Sequence, residues 1–183
     1  MMNYNMYLWQ NITWLFFHKL ALHQDIKKNP YYESFFNAFK IIIPCSMCRN
    51  HYVTMLNNPN FNLKKNVNKN NVFNFTVDIH NNVNFRLHKR LWKHEEAKNY
   101  YNQYYFTYSN VKRFLMIFVF HNFNKGPEKT NKLFQMILAF SHIFPRQNVR
   151  NKLIKYQNKI KPDVKNFSKW FFAYLLLIKS EVK

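Results

Sequence analysis

The chain has 183 residues, 48% of them apolar and 20% aromatic, enough to bury a core in one ordinary domain or in two small ones that share it. Its single glycine, Gly126, leaves no room for a GxGxxG fingerprint or a phosphate-binding P-loop, which excludes nucleotide folds built on such turns. Lys and Arg outnumber Asp and Glu by 28 to 8, a balance that favours anionic partners, yet the charges are spread along the chain rather than clustered as in a dedicated nucleic-acid binder.

Helical periodicity dominates from the start. Residues 7 to 23, "YLWQNITWLFFHKLALH", place Trp14, Phe17, Leu20 and Ala21 at spacings of three and four, which predicts an amphipathic helix. A turn follows at "KKNP", and Pro30 opens a second helix whose face carries Phe35, Phe36 and Phe39; Pro44 ends it. Cys45 to Leu56 reads as a third helix with both cysteines in its first turn. Asn57 to Asn71, rich in Asn and Lys, reads as a loop. Val72 to Trp92 predicts a fourth helix, residues 93 to 109 a polar, tyrosine-rich connector, and residues 110 to 183 a second helical block. The longest apolar runs, "FLMIFVF" and "WFFAYLLLI", are far shorter than the roughly 18 residues a bilayer requires, so no transmembrane segment is expected. No basic n-region precedes an uninterrupted apolar stretch, so no signal peptide is expected either.

The second block echoes the first. Sliding residues 35–56 onto 136–157 aligns Ala38 with Ala139, Phe39 with Phe140, Ile42 with Ile143, Pro44 with Pro145, and Arg49-Asn50 with Arg150-Asn151. The alternative is chance similarity between helices. On either reading Arg146 and Val149 stand where Cys45 and Cys48 stand; if the second block is a copy, it has lost the cysteine chemistry.

Cys45 and Cys48 are the two cysteines of the chain, too few for a disulfide framework. A cysteine at a helix N-terminus lies beside unsatisfied N–H groups that favour the thiolate, and a spacing of two residues puts two sulfurs within disulfide reach. The residues alone leave three readings open: a redox pair, a structural clip, or half of a zinc site completed by His51 and His80. The fourth helix adds "HNNVN", residues 80–84, whose imidazole and amides disfavour a buried face unless something there takes their hydrogen bonds.

Thr13-Trp14-x3-His18, Pro44-Cys45-x2-Cys48 and His80-Asn81-x-Val83-Asn84 followed by Leu87-x-Lys89 resemble, in order and spacing, the Erv/ALR family of FAD-linked sulfhydryl oxidases. The resemblance covers residues 7 to about 95. It implies an all-α fold: a four-helix bundle with a short fifth helix at residues 1–98, followed by a second helical bundle at 99–183 that reads as a degenerate copy. It implies an FAD cofactor held without a Rossmann turn, with Cys48 as the proximal cysteine facing the isoalloxazine ring and Cys45 as the outer cysteine that meets substrate. Trp14 and His18 would pack on and bond the flavin. His80, Asn81, Val83 and Asn84 would line its adenine and ribose side, Leu87 would add to the cofactor site, and Lys89, with Arg86 or Lys93, would meet its phosphates.

Protein thiols, a thioredoxin-like or other dithiol relay protein, and O2 are the implied partners, with a homodimer or an internal pseudo-dimer as the assembly. Short members without a second CxxC resemble those of large DNA viruses, which implies a viral source and a place in the host cytoplasm, an assembly site or the virion. The alternative class is a zinc-clipped or basic helical protein of nucleic-acid packaging. The chain departs from the family run Gly-Arg-Ser-Thr-Trp, which becomes Gln10-Asn11-Ile12-Thr13-Trp14, and His23, Phe75 and His88 replace a tyrosine, a tryptophan and a glycine.

Overall fold

Prolines and asparagines set where the helices begin and end. The computed structural model describes residues 5–182, and among them the fold is all-α, with ten α-helices, two single 3₁₀ turns and no strand. Helices α1 (Asn5–Leu22), α2 (Asn29–Ile42), α3 (Ser46–Asn57) and α5 (Val72–Arg86) are the four the sequence predicts. Pro30 sits in the first turn of α2, where a missing N–H costs nothing, and Pro44 biases Ile43 out of the helical region, to φ −57° and ψ 124°.

Three expectations need correction. The loop at 57–71 contains a 3₁₀ turn, Pro59–Phe61, and a short helix, α4 (Leu63–Asn68). The asparagines that made it look irregular are its caps: Asn58 and Asn62 accept from the backbone N–H groups of Asn60 and Lys65 at 2.9 and 2.8 Å. Leu63 and Val67, four apart, are buried. The fourth helix stops at Arg86 rather than Trp92, because His88 takes a left-handed φ of 52° and turns the chain back. The connector at 93–109 contains α6 (His94–Asn102), which buries Ala97 and Tyr101 and carries Glu95 and Glu96 in its first turn, where the helix dipole favours them.

The second block consists of α7 (Tyr108–Asn122), α8 (Pro127–Ile143), α9 (Gln147–Lys159) and α10 (Phe167–Lys179). It does not stand apart from the first. Helix α2 lies along α8 in the most extensive helix pairing of the fold, and α1 packs on α7. One continuous core of phenylalanines fills the junction: Phe16 stacks on Phe114 with centroids 4.2 Å apart, and Phe39 meets Phe118 edge-on at 5.0 Å. Buried Asn122 donates to the carbonyl of Ile42 at 2.9 Å, satisfying the end of α2 from the other block.

The joint between α2 and α3 occurs twice. Arg49 Nη1 donates to Ile43 O at 2.8 Å, and Arg150 Nη1 donates to Phe144 O at 2.8 Å. Cys45 and Arg146, the residues opening α3 and α9, have nearly the same backbone, φ −79° and ψ 116° against φ −73° and ψ 117°. Among the described residues no helix is long and apolar enough to cross a membrane.

Phe140 is fully buried where the two blocks meet, so Phe140→Ala is expected to cost about 3–5 kcal/mol. Urea unfolding followed by helical circular dichroism should show one transition, shifted as a whole; a separate transition for residues 99–183 would contradict a shared core.

Candidate functional site

Pro44 and the Arg49–Ile43 hydrogen bond hold the start of α3 in place, and the cysteines sit there. Cys45 is the N-cap: its sulfur accepts the backbone N–H of Cys48 at 3.2 Å. Cys48 lies one turn in. Their Cα atoms are 5.2 Å apart and the sulfurs are within disulfide-bonding reach. Both side chains are half-buried against the core.

Beside them α1, α3 and α5 enclose a cavity of about 280 Å³. Trp9, Gln10, Thr13, Trp14 and Phe17 share one face of α1 and form its first wall; Tyr52 and Met55 continue α3 beyond Cys48; Val83, Arg86 and Leu87 close the end of α5. Gln10 Nε2 donates to Cys48 Sγ across the cavity at 4.0 Å. Trp9 is 8% exposed, and its indole Nε1 is buried with no acceptor among the described residues. Such an orphan N–H costs roughly 1–3 kcal/mol, which an acceptor-bearing guest would offset. Aromatic and aliphatic walls, one unpaired donor and an adjacent sulfur pair suit a planar ring with polar edges that exchanges electrons with thiols.

Trp14 is a shared wall. Beyond it lies a second cavity, of about 470 Å³, lined by Asn11, His80, the tyrosines of α6 and Arg113 of α7. His80 stacks on Trp14 with centroids 4.2 Å apart and planes within 5°, and its Nδ1 lies 2.9 Å from His18 Nε2. The other nitrogen of His18 lies 2.9 Å from Thr76 Oγ1. His18 is therefore buried behind the cavities, with both nitrogens in use; it reaches a guest only through His80.

Asn81 and Asn84 do a different job from lining. Asn81 accepts from Trp92 N–H and donates to Trp92 O, each at 2.8 Å, and Asn84 donates to Arg90 O at 3.0 Å. Together they strap residues 87–93 back along α5. That strap forces the left-handed turn at His88, a conformation that a glycine, expected here from the family pattern, adopts without strain. Of the residues singled out on α5 and after it, Val83 and Leu87 line the first cavity and His80 the second; Lys89 is exposed and lines neither. Phe75 is spent in the core against Phe36.

The four side chains of the zinc reading are not brought together. His51 lies beside the sulfurs, with Nε2 2.7 Å from Arg86 Nη2, whereas His80 belongs to the other cavity. Residues the motifs did not flag, Trp9, Gln10, Tyr52 and Arg113, line the cavities. Gln10 could have been found from its spacing of four to Trp14, and Tyr52 from its spacing of four to Cys48. Arg113 had no local signal.

Burial, reinforced by the nearby charge of Lys89, pulls His80 from its ordinary 6.5 down to about 4; burial and then His80 pull His18 well down too. Both imidazoles are neutral in the fold, whereas in the unfolded chain they take up protons near pH 6.5. Their contribution to stability is present above that pH and lost as pH falls toward 4. The melting temperature should fall between about pH 7 and about pH 4.5, and fall less in His80→Gln; equal pH slopes in the two proteins would contradict the assignment.

Residues 11–104 match the sequence model of the Erv1 / Alr family. A FAD-linked sulfhydryl oxidase of Acanthamoeba polyphaga mimivirus is 31% identical over 93 residues, 49% of this chain and 65% of the relative. A FAD-linked sulfhydryl oxidase of Frog virus 3 is 43% identical over 58 residues, 32% of this chain and 37% of the relative. The chain thus spans under two thirds of the length of each curated relative, and no solved structure matches it significantly. A family match over more than half of the chain, carrying the cysteine pair and both cavity-lining motifs, makes this protein a member of the Erv1/Alr family.

Proposed function

We propose that this protein is an FAD-dependent sulfhydryl oxidase that forms disulfides in protein thiols. The observation that carries the reading is the Cys45–Cys48 pair at the edge of a cavity whose walls fit a flavin ring; the buried, unpaired N–H of Trp9, a lining residue, supports it. The chemistry supplied by bound FAD is acceptance of the electron pair released as the Cys45–Cys48 disulfide re-forms, and its transfer to O2 to give H2O2.

The residues of the chain carry the thiol steps. A substrate thiolate attacks Cys45 Sγ; a bond forms between substrate and Cys45, the Cys45–Cys48 bond breaks, and the electron pair stays on Cys48. Gln10 stands ready to donate to that thiolate. A second substrate thiolate then displaces Cys45, leaving the substrate oxidised and both cysteines reduced. Cys48 is the inner member of the pair in this reading because it lies one turn into α3 in contact with Gln10, while Cys45 caps the start of the helix. Trp14, His80, Val83 and Leu87 line the cofactor; His18, Asn81 and Asn84 position what does.

Residues 99–183 form a degenerate copy that stands in for a partner subunit. The twice-occurring joint and the α2–α8 pairing support this reading. Substrate thiols, presented directly or through a dithiol relay protein, complete the cycle, and the viral relatives favour a viral source with action in the host cytoplasm, at assembly sites or in the virion.

The purified protein should be yellow, with flavin absorbance near ~450 nm that dithiothreitol bleaches without air and that returns on aeration. Cys48→Ser should keep the colour, resist bleaching and lose thiol-dependent oxygen uptake. A colourless protein carrying stoichiometric zinc, or a fully active Cys48→Ser, would overturn the reading. Because α8 already covers α2, sedimentation should show a monomer; a dimer would sink the stand-in role of the second block.

A further inference from the structure

The cavity beyond Trp14 is lined by the aromatic rings of Trp14, His80, Tyr100 and Tyr101 of α6 and Tyr104 just after it, and by one guanidinium, that of Arg113. No carboxylate lines it, and among the described residues Arg113 has neither an ion-pair nor a hydrogen-bond partner. Flat π faces that take a base and a planar cation that grips phosphate oxygens two at a time are the chemistry of a nucleotide site. Trp14 also walls the cavity that holds Cys48, so a ligand running past its indole joins a ring at the sulfurs to a nucleotide at the tyrosines.

Arg113 lies outside the stretch that matches the family, on the helix that opens the second block. Asn11, where the family run has an arginine, lines the same cavity. We propose that Arg113 binds the phosphates of the nucleotide end of FAD in this cavity, so that the second block supplies a cofactor-binding residue to the first. The proposal rests on the FAD reading above and goes beyond it: the appended helices are part of the site, and a cation lost from α1 is replaced from α7.

The test is the dissociation constant of the full-length chain, stripped of flavin, for FAD and for riboflavin, which has no phosphate. Arg113→Gln should weaken FAD roughly ten- to hundredfold, the scale of one charge-assisted hydrogen-bonding contact, while riboflavin binding stays as in the native chain. Arg113→Lys should lie between. Arg113 is exposed, so the helix it stands on does not depend on it for packing. Unchanged FAD affinity in Arg113→Gln, or equal weakening of riboflavin, overturns the proposal while leaving a yellow, functional native protein. ADP should compete with FAD; ADP that binds the FAD-saturated protein through Arg113 would mark a separate nucleotide site and overturn it as well. A native chain that binds no FAD fails the functional reading itself, and the proposal with it.

Discussion

The phenylalanine cluster in which α1, α2, α7 and α8 meet is the constraint on which the site depends. Phe16 stacks on Phe114, and Phe35 and Phe39 lie within ring contact of Phe114 as well. Close-packed rings of this kind leave a helix little freedom to roll or slide. Because α1 is held by Phe16, Phe17 and Leu20, its remaining face, with Trp9, Gln10, Thr13 and Trp14, has one orientation and faces α3 and α5 across a gap. The cavities are what remains where a core this rigid fixes three helices whose facing side chains meet only in places, as at Trp14–His80 and Gln10–Cys48.

The position of the sulfurs follows from the joint after α2. Pro44 stops one helix, Arg49 reaches back to the freed carbonyl of Ile43, and the next helix starts on a cysteine that acts as its own cap. The second joint uses the same proline and arginine with other contents. Val149 is fully buried, and Arg146 donates to the carbonyl of Glu181, whose carboxylate also takes Asn148 and Lys152. What opens to a cavity in the first block is closed by the C-terminal segment in the second. The same backbone device borders a cavity once and a packed interior once.

The long helices were legible because their apolar residues recur at the helical period, and their ends were legible at Pro30 and Pro44 because proline acts locally. The two short helices, α4 and α6, were not. Each buries only two residues, too few for a periodic signal, and their asparagine and tyrosine content reads as irregular until the caps and the covering helices are present. The end of α5 was misplaced for a related reason: apolar spacing continues through Leu91 and Trp92, but Asn81 and Asn84 have already taken that strand of chain as a strap, and side-chain to backbone bonds eleven and six residues away leave no periodic trace.

The sequence by itself determined the all-α class, the dithiol at a helix start and the family, since each rests on residues close together in the chain: a proline before a CxxC, an amphipathic period, an ordered set of short motifs. Only the tertiary structure decided which of those residues face a cavity and which hold others in place. It moved His18, Asn81 and Asn84 behind the site, and brought Trp9, Gln10 and Tyr52 into it. It also brought Arg113 and Asn11, about a hundred residues apart, to the lining of one cavity. Such pairings arise from the packing of α1 on α7 and of α2 on α8, and side chains that meet through packing carry no spacing along the chain by which they could be recognised.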